Sequence, residues 1–142
     1  MELIAQGKTL LRDGRFAEAV ELGRSLARTH PQLAPAFAFL AEACRLAGDL
    51  PAAVEAIDTA IGLGDDPQHR IKKAWLLSRS YRRDEVPALA AELSAQAGNN
   101  ALVLWQIGKL YYHHNLLLEA ISHYERALDL VGDHPGCLLY TS

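Results

Sequence analysis

Several things are scarce in this chain, and each scarcity excludes something. No apolar run approaches the ~20 residues that a membrane-spanning helix needs. The opening Met1-Glu2-Leu3 lacks the basic start and apolar core of a secretory signal, so a cytoplasmic location is expected. Cysteine occurs twice. Cys44 reads as a small buried hydrophobe and Cys137 falls near the chain end; a cytoplasmic setting gives no reason to join them. Catalytic signatures are missing altogether: there is no G-x-S-x-G, phosphate-binding P-loop, G-x-G-x-x-G or H-E-x-x-H. Neither enzymatic activity nor a cofactor is expected from these residues. Glycine and proline mark turns instead of forming a low-complexity tract, and Gly62 to Pro67 reads as a linker.

What is present is ample hydrophobic material in a length suited to one domain: 50% of 142 residues. It is arranged as a repeat. Gly14-Arg-Phe-Ala-Glu-Ala-Val recurs as Gly48-Asp-Leu-Pro-Ala-Ala-Val, 34 residues on, and as Asn115-Leu-Leu-Leu-Glu-Ala-Ile after a further 67. Within each unit two amphipathic stretches of helical period flank a short turn. Gly14 and Gly48 suit the left-handed conformation that ends a helix, and Asn115 is the next best residue for it. Small residues are placed where paired helices should cross: Gly7 with Ala19, Ala41 with Ala53, Gly108 with Ala120. A period near 34 predicts stacked helical hairpins, each needing its neighbours to cover an apolar face.

These residues resemble the tetratricopeptide repeat (TPR) family, whose pattern asks for small or Gly at repeat position 8, Gly at 15 and Ala at 20 and 27. Residues 101–134 fit best, through Leu104, Ile107, Gly108, Tyr111, Asn115, Ala120, Tyr124 and Ala127. Residues 34–66 follow, with Phe37, Leu40, Ala41, Cys44, Gly48, Ala53, Ile57 and Ala60. Residues 1–33 supply Leu3, Gly7, Leu10, Gly14, Ala19 and Pro31, but depart at Gly23 and Leu26. Residues 67–100 match through Ala74, Leu77, Val86, Ala90 and Leu93, while Arg70 and Lys73 stand where apolar residues belong; a one-residue shift of the first helix places Ile71 and Ala74 better. The resemblance implies an all-α, right-handed superhelical solenoid of antiparallel helix pairs with about four repeats over residues 1–135. Residues 136–142 read as an irregular, non-native tail, and the natural protein is expected to continue past Gly136. Pro87 is accommodated if Asp84 is the N-cap of the helix it enters.

Net charge is -3, unevenly spread. The predicted first helices (1–13, 34–47, 68–83, 101–114) hold ten Lys/Arg and three Asp/Glu, a net +7, which leaves -10 elsewhere. The resemblance implies that first helices line a concave groove and second helices the convex back, so the groove is expected to be basic and the back, including Glu55, acidic. Ligand contacts in the family commonly come from positions 5, 9, 12 and 13. Carried over, these are Ile4, Lys8, Leu11 and Arg12; Ala38, Glu42, Arg45 and Leu46; Ile71, Trp75, Ser78 and Arg79; Trp105, Lys109, Tyr112 and His113. The partner-binding residues expected from this set are Lys8, Arg12, Arg45, Trp75, Arg79, Trp105, Lys109 and Tyr112. Cations can engage carboxylates and aromatics can anchor an interface, so the resemblance implies a scaffold that binds a protein or peptide of acidic character.

Other readings are weaker. The carboxylate-clamp subclass needs Lys and Asn where Ile4 and Lys8 stand. The run Arg70, Lys72, Lys73, Arg79, Arg82, Arg83 could meet nucleic-acid phosphates, but the whole chain is acidic, and no nucleic-acid partner is expected. His113 and His114 are adjacent, so on a helix they point about 100° apart; with His123 they lack a ligand set at metal spacing, and a polar helix end is expected, with no metal. The array also resembles the N-terminal halves of bacterial TPR-sulfotransferases, which makes a regulatory or substrate-presenting arm of a longer enzyme the alternative. No sulfate-donor motif lies in these residues. Finally, Ile121, Tyr124 and Leu128 are expected to lack cover from a following repeat, which opens a route to self-association through that face.

Overall fold

The computed structural model describes residues 2–64 and 66–132. Among them are eight α-helices and one short 3-10 turn: α1 (Glu2–Arg12), α2 (Phe16–Thr29), α3 (Ala34–Leu46), α4 (Leu50–Leu63), α5 (Pro67–Ser78), the 3-10 turn (Arg83–Glu85), α6 (Val86–Ala97), α7 (Ala101–His113) and α8 (Leu117–Val131). All eight helices expected from the repeat pattern are there. The expected tail, 136–142, and Cys137 lie outside the described residues. Contacts group into two compact units, Met1–Ser80 and Tyr81–Ser142.

The turns after α1, α3 and α7 follow one chemistry. Gly14, Gly48 and Asn115 take positive φ of 77°, 89° and 62°. The next amide, of Arg15, Asp49 or Leu116, then donates back to the carbonyl of Leu10, Cys44 or Tyr111 at 2.8–2.9 Å, which satisfies a carbonyl that the helix end would otherwise leave open. The segment after α5 has no such residue. Helix α5 ends at Ser78, short of the expected 83, and the chain reaches α6 through the 3-10 turn. Asp84 lies inside that turn and does not cap α6. Glu85 holds the capping position in helical conformation, and its side chain makes no capping bond, because the turn feeds directly into the helix and leaves no extended residue to act as a cap. Pro87 does sit in the first turn, where its missing N–H costs nothing.

In the first unit α2 packs on α3 and α4 on α5. Gly23, a departure from the family pattern, is buried: a Cβ there would lie 3.1 Å from the Leu40 Cα, so its absence lets α2 and α3 approach closely. Gly7 has a similar use, since the ring of Phe39 occupies the space its Cβ would take. Lys73, expected to be misplaced, reaches from α5 to Asp58 of α4 at 2.7 Å, which keeps its charge satisfied at the edge of the contact. Ile71, Ala74 and Leu77 supply the buried part of that face.

In the second unit α7 and α8 cross at Gly108, against which the Tyr124 ring lies; a Cβ would come within 2.8 Å of it. His123 is not part of a polar helix end. It is buried, with Nδ1 donating to the Glu119 carbonyl at 2.7 Å and Nε2 paired with Ser94 Oγ of α6 at 2.7 Å. The carbonyl can only accept, so the hydroxyl donates to Nε2 in the neutral tautomer. Tyr111 contacts the same imidazole, with ring centroids 5.1 Å apart.

Candidate functional site

The first unit contains a cleft of about 270 Å³ between α3 and α5. Ala38, Ala41, Glu42 and Arg45 line it from α3; Lys72, Trp75, Leu76 and Arg79 line it from α5. Each set falls on one side of its helix because the spacing is three or four residues. Helix α3 is pinned at its far end by the Gly48 turn, and α5 is started by Asp66, whose carboxylate accepts from the Gln68 amide at 2.9 Å.

Three cations and one acid make the cleft positive. Arg45 and Glu42 are already joined: Arg45 Nε donates to Glu42 Oε2 at 3.1 Å, and Nη2 closes the second arm of the fork on Oε1. That hydrogen-bonded guanidinium holds the Glu42 carboxyl below its ordinary range against an opposing effect of burial, and Lys72 and Arg79 add to the lowering. Conversely, Glu42 raises the Arg45 pKa further. Lys72 and Arg79 make no ion pair or side-chain hydrogen bond among the described residues. An anion entering the cleft therefore meets Lys72 and Arg79 as its accessible cations, with Trp75 half-buried beside them and Ala38, Ala41 and Leu76 as apolar wall.

The expected groove residues divide accordingly. Arg45, Trp75 and Arg79 are brought together. Lys8 and Arg12 are exposed on α1 and line no part of this cleft; Arg12 donates to its neighbour Thr9 Oγ1 at 3.2 Å. Trp105, Lys109 and Tyr112 lie on α7 of the second unit. There the Lys109 ammonium sits 4.7 Å from the Trp105 ring centroid, a cation–π contact within one helix, and Tyr112 is exposed. Ile71 and Ser78, also expected on the groove face, are buried. Ser78 Oγ donates to the Ala74 carbonyl at 2.9 Å. Helix α5 turns Lys72 and Leu76 to the cleft in their place, a rotation by one residue. The signal is in the sequence: Lys72, Trp75 and Arg79 stand at i, i+3 and i+7, one continuous helical stripe.

Among the described residues no group of three or more His, Cys, Asp or Glu could hold a metal ion, and no helix is long and apolar enough to cross a membrane. Burial raises the Cys44 thiol pKa, which makes it a packing residue and a poor nucleophile. Burial also lowers the His114 pKa, and the neighbouring Arg83 and His113 charges lower it further.

No family model matches the chain, and no curated protein matches it significantly in sequence. Solved structures do resemble it. TTC0263, a thermophilic TPR protein in Thermus thermophilus, superposes with a TM-score of 0.74 at 20% identity, over 98% of this chain and 78% of that one. The MamA protein superposes with a TM-score of 0.72 at 20% identity, over 94% of this chain and 74% of the other. A MamA fragment running from its residue 41 to the end, from Desulfovibrio magneticus RS-1, gives 0.67 at 20% identity, over 90% and 73%. At that identity the likeness is one of fold, and it agrees with the turns, crossings and period described above: the chain has the fold of a tetratricopeptide-repeat protein.

Proposed function

We propose that the protein is an interaction scaffold whose α3/α5 cleft takes an acidic segment of a partner protein. The observation that supports this reading is the convergence of Arg45, Lys72 and Arg79 around one acid, Glu42, with Trp75 on the same wall. A carboxylate of the partner pairs with Lys72 and Arg79, and an adjacent apolar side chain of the partner lies against Trp75 and Leu76. Arg45 contributes less than its position implies, because Glu42 occupies its fork. On α7, Trp105, Lys109 and Tyr112 form the second basic and aromatic surface assigned to partner binding, and Lys8 and Arg12 the exposed basic face of α1.

The test uses fluorescein-labelled peptides rich in Glu and Leu, with Lys-for-Glu counterparts, titrated against the full chain. The acidic set should bind more tightly, and affinity should fall with salt, because exposed charges are screened beyond about 8 Å at physiological ionic strength. Lys72→Glu with Arg79→Glu should abolish the preference. Glu42→Gln should strengthen acidic-peptide binding by releasing Arg45. Equal affinity for acidic and basic peptides would overturn the reading.

A further inference from the structure

The charges lining the α3/α5 cleft are unequal, and their arrangement says which anion the cleft suits. Arg45, Lys72 and Arg79 stand against Glu42 alone, a net +2 around about 270 Å³. Glu42 is the informative residue. It already holds the place that a partner's carboxylate would take on Arg45, through Nε and Nη2. A second carboxylate offers that guanidinium nothing that the first does not. It also arrives from another molecule, without the advantage of lying three residues away on the same helix. Arg45 has a further nitrogen, Nη1, which Glu42 leaves unengaged.

Lys72 and Arg79 stand seven residues apart on α5, two turns and about 10.5 Å along its axis. Both nonetheless act on the Glu42 carboxyl, as Arg45 does. Three cations from two helices thus converge on the middle of the cleft, where Trp75 and Leu76 lie between Lys72 and Arg79. Such a place favours the anion with the most charge and the most oxygens. A partner's carboxylate brings one charge and two oxygens, so part of the net +2 stays uncompensated and one of the three donors is left to water. A phosphate monoester brings about -1.5 to -2 at neutral pH and three acceptor oxygens. It neutralises the cleft. It can also give one oxygen each to Arg45 Nη1, the Lys72 ammonium and the Arg79 guanidinium while the Glu42 fork stays closed. Attraction grows with the ligand's charge, because each of its charges feels the same excess. A bare phosphate ion would leave the apolar wall of Ala38, Ala41 and Leu76 unused.

We infer that the α3/α5 cleft recognises a phosphorylated side chain of the partner protein, with an apolar residue beside it, in preference to Asp or Glu. This rests on the reading of the cleft as a partner-binding site and narrows it: phosphorylation of the partner becomes the signal that permits docking.

The probes are three fluorescein-labelled peptides, flanked by Leu and differing at one position, phosphoserine, Glu or Ser. Each is titrated against the full chain by fluorescence anisotropy. The phosphoserine peptide should bind at least about tenfold more tightly than the Glu peptide at about pH 7.5. At about pH 5.5, below the second phosphate pKa of about 6, the advantage should shrink to about threefold or less. No histidine lines the cleft, and the Glu42 carboxyl, held below its ordinary range, stays ionised over that interval, so the change belongs to the ligand. Lys72→Gln with Arg79→Gln, both at exposed positions, should bring the phosphoserine peptide down to the level of the Ser peptide with helical circular dichroism unchanged. Equal affinity for the phosphoserine and Glu peptides overturns the inference and leaves the acidic-segment reading standing. If neither binds better than the Ser peptide, both fall. A preference that survives the double substitution, or that is the same at both pH values, also overturns the inference. So does inorganic phosphate that displaces the peptide at the peptide's own concentration, which would make the free ion the ligand.

Discussion

Repeats 34–66 and 101–132 are built alike and are surrounded differently. Each pair of helices is joined through one left-handed residue, Gly48 or Asn115, and each buries a pair of small residues, Ala41 and Ala53 or Gly108 and Ala120. Each has a side-chain cap at a helix start: Asp49 accepts from Ala52 at 3.1 Å, and Asn100 from Val103 at 3.1 Å. The difference lies on the second helix, where α4 is covered and α8 presents the same stripe to solvent. Local pattern therefore determines the hairpin and the direction of its outer face. Whether that face contributes to stability depends on a neighbour that the hairpin does not contain.

The comparison breaks most visibly at the stripes. Ile57→Ala should destabilise by about 2–5 kcal/mol, because it empties a filled site, whereas Ile121→Ala should change stability by no more than about 0.5 kcal/mol. Urea denaturation followed by circular dichroism reads both. Similar losses at the two positions would mean that α8 is covered in solution. Next in size are the crossings, which the two repeats share. Ala53→Leu and Ala120→Leu should each cost about 1–3 kcal/mol through overpacking, while exposed Glu55→Gln stays within about 0.5 kcal/mol. The caps follow: Asp49→Ala and Asn100→Ala should each cost about 1 kcal/mol, seen as matched shifts of the urea midpoint.

The smallest effect separates the two repeats by pH. Glu42 has its pKa lowered by Arg45, so the stability it contributes is fully present above the ordinary carboxylate value of 4.5 and is lost as pH falls through the lowered pKa. The pair is partly exposed and screened, which limits the loss to about 0.5 kcal/mol. Urea midpoints at about pH 6 and about pH 3 should differ less in Glu42→Gln than in the parent chain by that amount. Repeat 101–132 has Lys109 at the corresponding place, with no carboxylate to protonate there, and should show no matching loss.

Most of this architecture is legible in the sequence because the 34-residue period repeats chemically costly choices: a left-handed residue at the turn and small residues where helices pack closely. The parts that are not legible depend on contacts between distant segments. Lys73 looks misplaced until Asp58 is found beside it. His123 looks like a surface histidine, yet Ser94, 29 residues away, gives it a buried partner. Asp84 is a good capping residue by type, but the 3-10 turn removes the extended conformation a cap requires. Of the candidate site, Arg45, Trp75 and Arg79 are readable by position. Lys72 escapes the family register, because α5 is turned by one residue relative to it.

The two glycines at the crossings have different consequences for how such a chain could be lengthened or rearranged. The space at Gly108 is filled by Tyr124 of the same repeat, so that hairpin carries its own filler at the crossing, although its buried His123 still takes its partner Ser94 from α6. The space at Gly7 is filled by Phe39, which belongs to the following repeat. Moved without its successor, the first hairpin would travel with a hole in it. The first two repeats are therefore coupled through a side chain, whereas repeat 101–132 fills its crossing from within.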